Sequence, residues 1–235
     1  TRRFTQNFTL NKIYNAHSDM PYLYVSKEAL SGVITVAYDE IKPIEYFRVQ
    51  VDEYYTKYFD SFEAVVKAAI KEYPQIKKMC DEFDAKLMAE TGKFGEEYQY
   101  ITTLAYRQAI AAHKLVEDTE GNILFLSKED DSNGCIGTLD VTYPSIPLFL
   151  KYNPELVKGM LRPIIKYAKS DEWTYDFTPH DVGGYPIANG QIYKGNKREF
   201  QMPVEEAGNM LLCLAAVKKY ANGDTELFDA NKDLM

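Results

Sequence analysis

The hydrophobic period of the chain changes near Asp60, and this change most constrains the fold. After Asp60, apolar side chains recur every three to four residues, which is the spacing of one face of an α-helix. The pattern predicts a helix that begins at Asp60, with Glu63 as the second half of a capping pair. Pro74 is expected to break or kink this helix at the preceding residue. A second helix is predicted from about 97 to 114.

Two further helix starts have clearer signals. Asn153-Pro154 combines an N-cap residue with a proline in the first turn, and the helix it opens is predicted to run to about Ala168. Pro203 opens the last long helix, which closes at Asn222-Gly223. The loop between these helices (170–202) has more than 30 residues, and such loops are usually functional. Successive amphipathic helices without a visible sequence repeat favour a toroid over a regular solenoid.

The first part of the chain has strand character instead. β-branched and aromatic residues are concentrated at 22–25, 33–38 and 44–47, and each of these segments is predicted to be a strand. We therefore divide the chain into residues 1–55, the end of a β-rich domain with its linker, and residues 56–235, the first part of a helical domain.

Polar side chains recur where the apolar runs end. Loops at such positions often carry the binding and catalytic residues, because a rigid scaffold holds them in place. Glu205 and Glu206 lie in the first turn of a predicted helix, where the helix dipole alone favours carboxylates, and one of them is equally a candidate general acid or base. Asp140 precedes a predicted Tyr-Pro turn and either binds its own backbone or serves a site. His180-Asp181 is either an imidazole with its orienting carboxylate or an ordinary loop histidine. The candidate catalytic residues are Glu205, Glu206, Asp140 and Asp181.

The candidate substrate-binding residues are spread more widely. Arg107 lies within a predicted helix and is either half of an ion pair between helices or a clamp on a substrate carboxylate. Glu129 either faces the same mouth or is a surface charge, and Asn133-Gly134 is most simply a turn. The candidates of this group are Tyr106, Arg107, Gln108, Glu129, Asn133 and His180.

The charge and the cysteines disfavour several classes of function. The chain of 235 residues has a formal net charge of -8, which argues against nucleic acid as a partner because phosphate binding needs a basic face. No run of about 18 apolar residues occurs, so no membrane span is predicted. Cys80 and Cys213 fall in apolar helical runs and are predicted to be buried, whereas Cys135 has no histidine near it in sequence. The spacing of these residues predicts neither a metal site nor a cofactor.

Three ungapped motifs resemble the glutaminase A family of large secreted proteins. They are YRQAIAAHKL at 106–115, DVTYPS at 140–145 and MPVEE at 202–206, and the resemblance covers about residues 33–235. It implies a β-sandwich-like region followed by an (α/α)6 toroid of the six-hairpin glycosidase type, in a secreted or periplasmic protein. The chain begins without Met and ends inside a helix predicted near Thr225, so we expect a fragment with about half of the toroid.

The chemistry of the candidate residues leaves three hypotheses open. Two carboxylates with separated pKa values can activate a water and protonate a leaving group, at an amide or at a glycosidic bond. The sequence has no Ser-x-x-Lys motif, nucleophile elbow, P-loop or dinucleotide fingerprint. The hypotheses are a glutaminase-like amidohydrolase acting on L-glutamine, a glycoside hydrolase or other sugar-active enzyme on the same toroid, and a non-catalytic binding fragment. Only the resemblance favours glutamine among these small-molecule and glycan ligands.

Two expectations about the structure follow. One concave mouth is expected to be lined by Tyr106 or Arg107, Glu129, Asp140, Asp181 and Glu205. An incomplete toroid is expected to expose a large apolar patch, which the remainder of the polypeptide or another copy of the chain would cover. That patch is expected beside the helix that contains Leu211, Leu212, Leu214 and Val217.

Overall fold

The computed structural model describes residues 9–14, 21–26, 35–129 and 131–234, and the chain forms two compact units, Thr1–Tyr38 and Asp39–Met235. In the first unit, strands β1 (Thr9–Tyr14) and β2 (Pro21–Ser26) form an antiparallel hairpin, which confirms the strand predicted at 22–25. The strand predicted at 33–38 is wrong for residues 35–38, which have no regular structure; residues 33 and 34 lie outside the described ones. β-branched residues form a strand only where a neighbouring strand or a packed face receives them.

The second unit begins with two short strands. β3 (Ile44–Tyr46) pairs antiparallel with β4 (Val49–Val51), which confirms the strand predicted at 44–47. Ile44, Tyr46 and Val51 are buried, so one face of this pair belongs to the core of the unit.

A helix of 30 residues, α1 (Phe62–Thr91), follows the strands. Its cap is Ser61, whose side-chain oxygen accepts a hydrogen bond from a backbone N–H of the first turn (3.2 Å), and not the predicted pair of Asp60 and Glu63. α1 continues through Pro74, so the predicted break is wrong. The turns around Pro74 are exposed, and water can reach the carbonyl group that lacks an N–H partner there.

The second helix, α2 (Glu96–Ala111), ends before its predicted boundary at residue 114. The chain forms strand β5 (His113–Glu117) instead, which pairs antiparallel with β6 (Ile123–Ser127). His113 and Lys114 follow the helical pattern of α2 in sequence, but pairing with β6 overrides that local preference.

Helix α3 (Leu139–Tyr152) is not anticipated by the sequence analysis. The prediction that Asp140 precedes a Tyr-Pro turn is wrong, because Asp140 lies in the first turn of α3 and both Pro144 and Pro147 lie inside the helix. Prolines usually mark turns, but the buried face of this helix, which includes Ile146 and Phe149, is stabilised by the core despite them.

Helices α4 (Pro154–Ala168) and α5 (Pro203–Tyr220) confirm the two predicted helix starts. The side chain of Asn153 caps α4 by accepting a hydrogen bond from the N–H of Glu155 (3.2 Å). The long loop between the helices contains two short 3-10 turns and the two-residue strand β7 (Ile187–Ala188), which pairs in parallel with β3. A four-residue helix, α6 (Glu226–Asp229), follows α5 close to the start predicted near Thr225.

The hydrophobic core lies between β6 and helices α3, α4 and α5. α4 approaches β6 closely at Gly159, where a Cβ would lie 3.0 Å from the carbonyl oxygen of Ile123. The space is filled by fully buried side chains, the largest of which include Leu124, Leu126, Leu139, Met160, Leu161, Ile164, Met210 and Leu214. The mainly helical architecture with a few preceding strands agrees with the predicted fold class.

An apolar groove of about 810 Å³ lies between α3 and α5. It is lined by Tyr143, Pro144, Ile146, Pro147, Leu150, Lys151, Leu212, Ala216 and Tyr220. Leu211 and Leu212 are 39% and 53% exposed, as expected for an uncovered apolar face, whereas Leu214 and Val217 are fully buried. Leu214 and Val217 face the core from the opposite side of α5, so Leu211 and Leu212 are the residues of this group that form the exposed apolar surface.

Two further properties concern the helices and the cysteines. Over the residues that the structure describes, no helix is both long enough and apolar enough to cross a membrane. Cys135 and Cys213 are buried, but Cys80 is exposed, so the prediction that Cys80 is buried is wrong. The reason is that α1 buries only Leu87 and Thr91 of its 30 residues.

Thiol labelling tests the placement of the cysteines. Because Cys80 is exposed and Cys135 and Cys213 are buried, we expect the native chain to react with a colorimetric thiol reagent at Cys80 only, and all three thiols to react after unfolding. The Cys80→Ser variant should show no fast reaction. A fast-reacting thiol that persists in this variant would contradict the described packing.

Truncation of two leucines on α5 tests the position of the core. Leu214→Ala removes a fully buried side chain and is expected to lower the free energy of unfolding by about 2–5 kcal/mol. Leu212→Ala is the matched control on the same helix, where the 53% exposed side chain should cost less than about 1 kcal/mol. Chemical denaturation measures both values. Similar losses for the two variants would mean that α5 presents a different face to the core.

Candidate active site

Three ionisable side chains from different parts of the sequence converge in the second unit. Asp140 lies in the first turn of α3, His180 in the 170–202 loop, and Glu206 in the first turn of α5. One side-chain atom from each lies within 4.8 Å of the others, and we name this group the Asp140–His180–Glu206 cluster. Within this cluster, Nε2 of His180 lies 3.8 Å from Oδ2 of Asp140.

Backbone hydrogen bonds hold the loop against the start of α3. The N–H of Leu139 donates to the carbonyl oxygen of His180 (2.8 Å). Ile136 and Val182 add two further bonds, since Ile136 donates to Gly183 (2.9 Å) and Val182 donates to Ile136 (3.1 Å). The residue that carries the imidazole is thereby tied to the residue before Asp140.

Asp181 orients the imidazole and does not face the cluster with a free oxygen. Its side chain is fully buried, and Oδ2 lies 3.0 Å from Nδ1 of His180. Its oxygens also accept backbone N–H groups from Gly183 (2.8 Å), Ile192 (3.0 Å) and Tyr193 (3.2 Å). Because every strong acceptor direction of this carboxylate is in use, Asp181 fits the role of an orienting group better than that of a catalytic base.

Two other residues of the loop complete the setting of His180. The ring of Tyr193 stacks on the imidazole, with ring centroids 4.1 Å apart and an interplanar angle of 15°. The side-chain oxygen of Gln191 accepts the backbone N–H of His180 (2.6 Å). The ring is therefore held in one plane, with Nε2 directed towards Asp140.

Glu206 is the most unusual member of the cluster. It is 1% exposed, and neither of its carboxylate oxygens has a hydrogen-bond partner among the residues that the structure describes. Burial and the negative charge of Asp140 raise the pKa of Glu206 to about 8, although His180 and the nearby amide of Asn209 oppose the increase. A buried carboxylate without a partner is costly, so Glu206 requires either a proton or another positive group.

The other two members of the cluster are perturbed in the same direction. Burial raises the pKa of Asp140, although the neighbouring His180 opposes this. Burial alone would lower the pKa of His180, but the hydrogen bond and the charge of Asp181 outweigh it and raise the pKa. The Asp140 side chain is 31% exposed while its Oδ1 is buried without a partner, so the cluster opens to solvent on the Asp140 side.

Several predicted site residues lie beside the cluster without joining it. Glu205 is exposed, next to Glu206 on α5. Glu129 accepts a hydrogen bond from the Thr138 hydroxyl (3.0 Å) and bonds to Ser132. The Asn133 side chain accepts the N–H of Cys135 (2.9 Å), which is the turn structure expected from its sequence.

The residues predicted from α2 bond elsewhere. Arg107 pairs with Asp84 of α1 (2.7 Å) and is 68% exposed, so the structure favours the ion pair between helices over the substrate clamp. Tyr106 packs against Phe83 and Tyr152, and Gln108 is exposed. The expectation that Tyr106 or Arg107 shares a mouth with Asp140 and Asp181 has no support in these contacts.

Cys135 lies next to the cluster but is not suited to nucleophilic attack. Its Sγ lies within 4.8 Å of ligand atoms of His180 and Asp181. Burial and the charge of Asp181 raise the pKa of the thiol well above its ordinary value, so the reactive thiolate is disfavoured. Gln191, Tyr193 and Thr138 are site-forming residues that the sequence analysis missed. The polar residues Asn189-Gly190-Gln191 were a signal for the first two and not for Thr138.

Gly183 is the residue at which the loop depends on glycine. Its φ is +144°, and a Cβ there would lie 2.0 Å from the carbonyl oxygen of Ile187. Gly183→Ala is expected to lower the free energy of unfolding by more than the roughly 1–3 kcal/mol typical of backbone strain alone, because a clash is added. Chemical denaturation measures the loss.

Gly95→Ala is the matched control for this substitution. Gly95 has φ of +110°, but nothing lies within 4 Å of the added Cβ. The control therefore carries the backbone strain without the clash. Equal losses for the two variants would show that the loop does not approach itself as described.

Comparisons with known proteins identify the family of the chain. A model of the glutaminase A six helical-hairpin domain matches residues 95–235, and a model of a domain of unknown function, DUF5127, matches residues 15–90. Glutaminase A of Aspergillus oryzae is 34% identical over 170 residues, which are 71% of this chain and 24% of that protein. A probable glutaminase of Arthroderma benhamiae is 37% identical over 129 residues, which are 55% of this chain and 14% of that protein. The chain thus spans a quarter or less of the length of these relatives. Since the first of these models covers more than half of the sequence, the chain belongs to the glutaminase A family, with the six-hairpin helical domain predicted for it.

Proposed function

We propose that the polypeptide carrying this chain hydrolyses the side-chain carboxamide of L-glutamine and that the Asp140–His180–Glu206 cluster is its hydrolytic centre. The observation that carries the proposal is the convergence of three ionisable side chains from three elements around carboxylate oxygens without hydrogen-bond partners. The relatives named glutaminase support the choice of an amide substrate. Perturbed titratable groups in such a setting are typical of functional sites.

The reaction needs few groups. The oxygen of a water forms a bond to the carboxamide carbon, the C–N bond breaks, and ammonia leaves with a proton given up by the water. Oδ1 of Asp140 and the carboxyl oxygens of Glu206 have no partner among the described residues and can form hydrogen bonds with that water. The carboxylates that take its proton can return the proton to the leaving nitrogen, which is general base and general acid catalysis by one cluster.

The structure supports Glu206 over Glu205 as the catalytic glutamate. The sequence analysis places both in one helical turn and does not separate them. Glu206 is buried against Asp140 and His180, whereas Glu205 is exposed. Asp181 acts in this proposal through His180, because its own oxygens already accept four hydrogen bonds.

Partners and location are also part of the proposal. The substrate is a small molecule, and the apolar groove between α3 and α5 is a surface that further helices of the same polypeptide or another copy of the chain would cover. A secreted or periplasmic location is proposed on the family membership. The division of the chain at residues 55 and 56 is proposed on the change of hydrophobic period in the sequence.

The substitution Glu206→Gln tests the function. It keeps the shape of the side chain and removes its charge, so we expect the rate of ammonia release from L-glutamine to fall by roughly 10²–10⁴, the range for loss of a general acid–base group. The assay uses the complete polypeptide that carries this chain. Glu205→Gln, its exposed neighbour, is the control and should retain the rate.

Two results would count against the proposal. Full turnover by the Glu206→Gln variant would exclude this cluster as the hydrolytic centre. Release of reducing sugar from a glycan panel, without release of ammonia from L-glutamine, would show that the protein is a sugar-active enzyme and not an amidohydrolase.

A further inference from the structure

The Asp140–His180–Glu206 cluster contains buried carboxyl oxygens that the described part of the chain leaves without partners. Glu206 is 1% exposed, and over the described part of the chain neither its oxygens nor the buried Oδ1 of Asp140 has a hydrogen-bond partner. Within the described ranges, no lysine or arginine forms an ion pair with either carboxylate. Buried charges in proteins are paired or coordinate metals.

The imidazole of His180 is held as metal-binding imidazoles are held. A ligating histidine almost always gives its other ring nitrogen to a carboxylate or a carbonyl group, which fixes the ring and its tautomer. Nδ1 of His180 lies 3.0 Å from Asp181 Oδ2, and Asp181 is itself held by three backbone N–H groups. Nε2 is thereby left to face Asp140 and Glu206.

From this geometry we propose that Asp140, His180 and Glu206 bind one divalent transition-metal cation, of which Zn²⁺ is the best match. One imidazole nitrogen and two carboxylate oxygens are donors that Zn²⁺ accepts, at about 2.0–2.2 Å from the metal. In a tetrahedral site two such ligands lie roughly 3.3–3.6 Å apart. The three candidate atoms lie within 4.8 Å of one another, so a small side-chain movement completes the coordination.

A second group of possible ligands shares His180 but fits less well. It consists of Cys135, His180 and Asp181. The oxygens of Asp181 already accept hydrogen bonds from the backbone and from His180, and Cys135 is 1% exposed with its thiol form favoured. The free oxygens of the proposed set point instead to a cation among Asp140, His180 and Glu206.

Three protein ligands leave a fourth position for water. This is the arrangement of catalytic zinc sites, in which the metal makes its bound water a stronger acid. Use of that water on a carboxamide rests on the proposed function, whereas binding of the cation does not. If each carboxylate binds through one oxygen, the second oxygen of each remains free to accept a proton from the water.

Metal binding by the untagged chain tests the inference. The chain is first treated with EDTA and desalted, and ZnCl₂ is then titrated by calorimetry. We expect one equivalent of Zn²⁺ to bind per chain. Glu206→Gln and Asp140→Asn should each raise the Kd for Zn²⁺ by at least roughly 10–100-fold. This is the range typical for loss of a supporting group around a metal. Glu205→Gln removes the same charge from the exposed neighbour and should leave the Kd unchanged.

Each outcome either supports or overturns the proposal. Absence of stoichiometric Zn²⁺ binding by the wild-type chain overturns it, as does an unchanged Kd in Glu206→Gln or in Asp140→Asn. Circular dichroism checks that the variants are folded, and should one fail to fold, the other variant and the wild-type stoichiometry decide. Ammonia release that proceeds without any Zn²⁺ binding refutes the metal site and leaves the proposed function standing. Zn²⁺ binding without glutaminase activity refutes the proposed function and leaves the metal site standing.

Discussion

The candidate site depends on the set of hydrogen bonds that ties the 180–183 segment to the residues around the start of α3. Leu139 donates to His180, and Ile136 exchanges bonds with Val182 and Gly183. These bonds place a loop histidine beside a helical aspartate, although the two are far apart in sequence. The same segment contains Asp181, whose buried carboxylate accepts hydrogen bonds from the backbone N–H groups of Gly183, Ile192 and Tyr193. A long loop is thus held rigidly enough to support chemistry, because its polar groups are satisfied from within.

The balance of charge in the interior shows why the cluster is exceptional. Lys158 is also buried, but it pairs with Glu155 (3.2 Å) and bonds to Asp224. Lys114 is paired with both Glu40 and Glu53, each at 2.6 Å. His113 is buried with one nitrogen unpartnered, and burial lowers its pKa to about 4, so it remains neutral. Among these groups, Glu206 is the one whose side chain has no hydrogen-bond partner and no ion pair among the described residues. A cost of this kind is retained where function requires it.

The sequence predicted a substantial part of the fold because local signals are strong where the chain is amphipathic. Asn153 and the prolines at 154 and 203 predicted the starts of α4 and α5. An N-cap side chain and a first-turn proline act within a few residues of the helix start, so they are visible in the sequence. The same local logic failed for α3, where Pro144 and Pro147 indicate turns but a buried face outweighs them. It also failed at the start of β5, where pairing with β6 overrides a helical pattern. The residues of the candidate cluster were individually visible, but Tyr106, Arg107 and Gln108 looked equally suitable and bond elsewhere.

The sequence by itself determined the helical class, the family and the short list of carboxylates from which a site could be built. It also predicted that Glu205 and Glu206 lie in the first turn of one helix. Only the tertiary structure decided between them, because a rotation of about 100° per residue turns one side chain into the core and its neighbour to solvent. Only the tertiary structure showed that Asp181 is saturated and that Asp140, His180 and Glu206 meet, since their proximity arises from long-range packing that no local pattern of residues encodes.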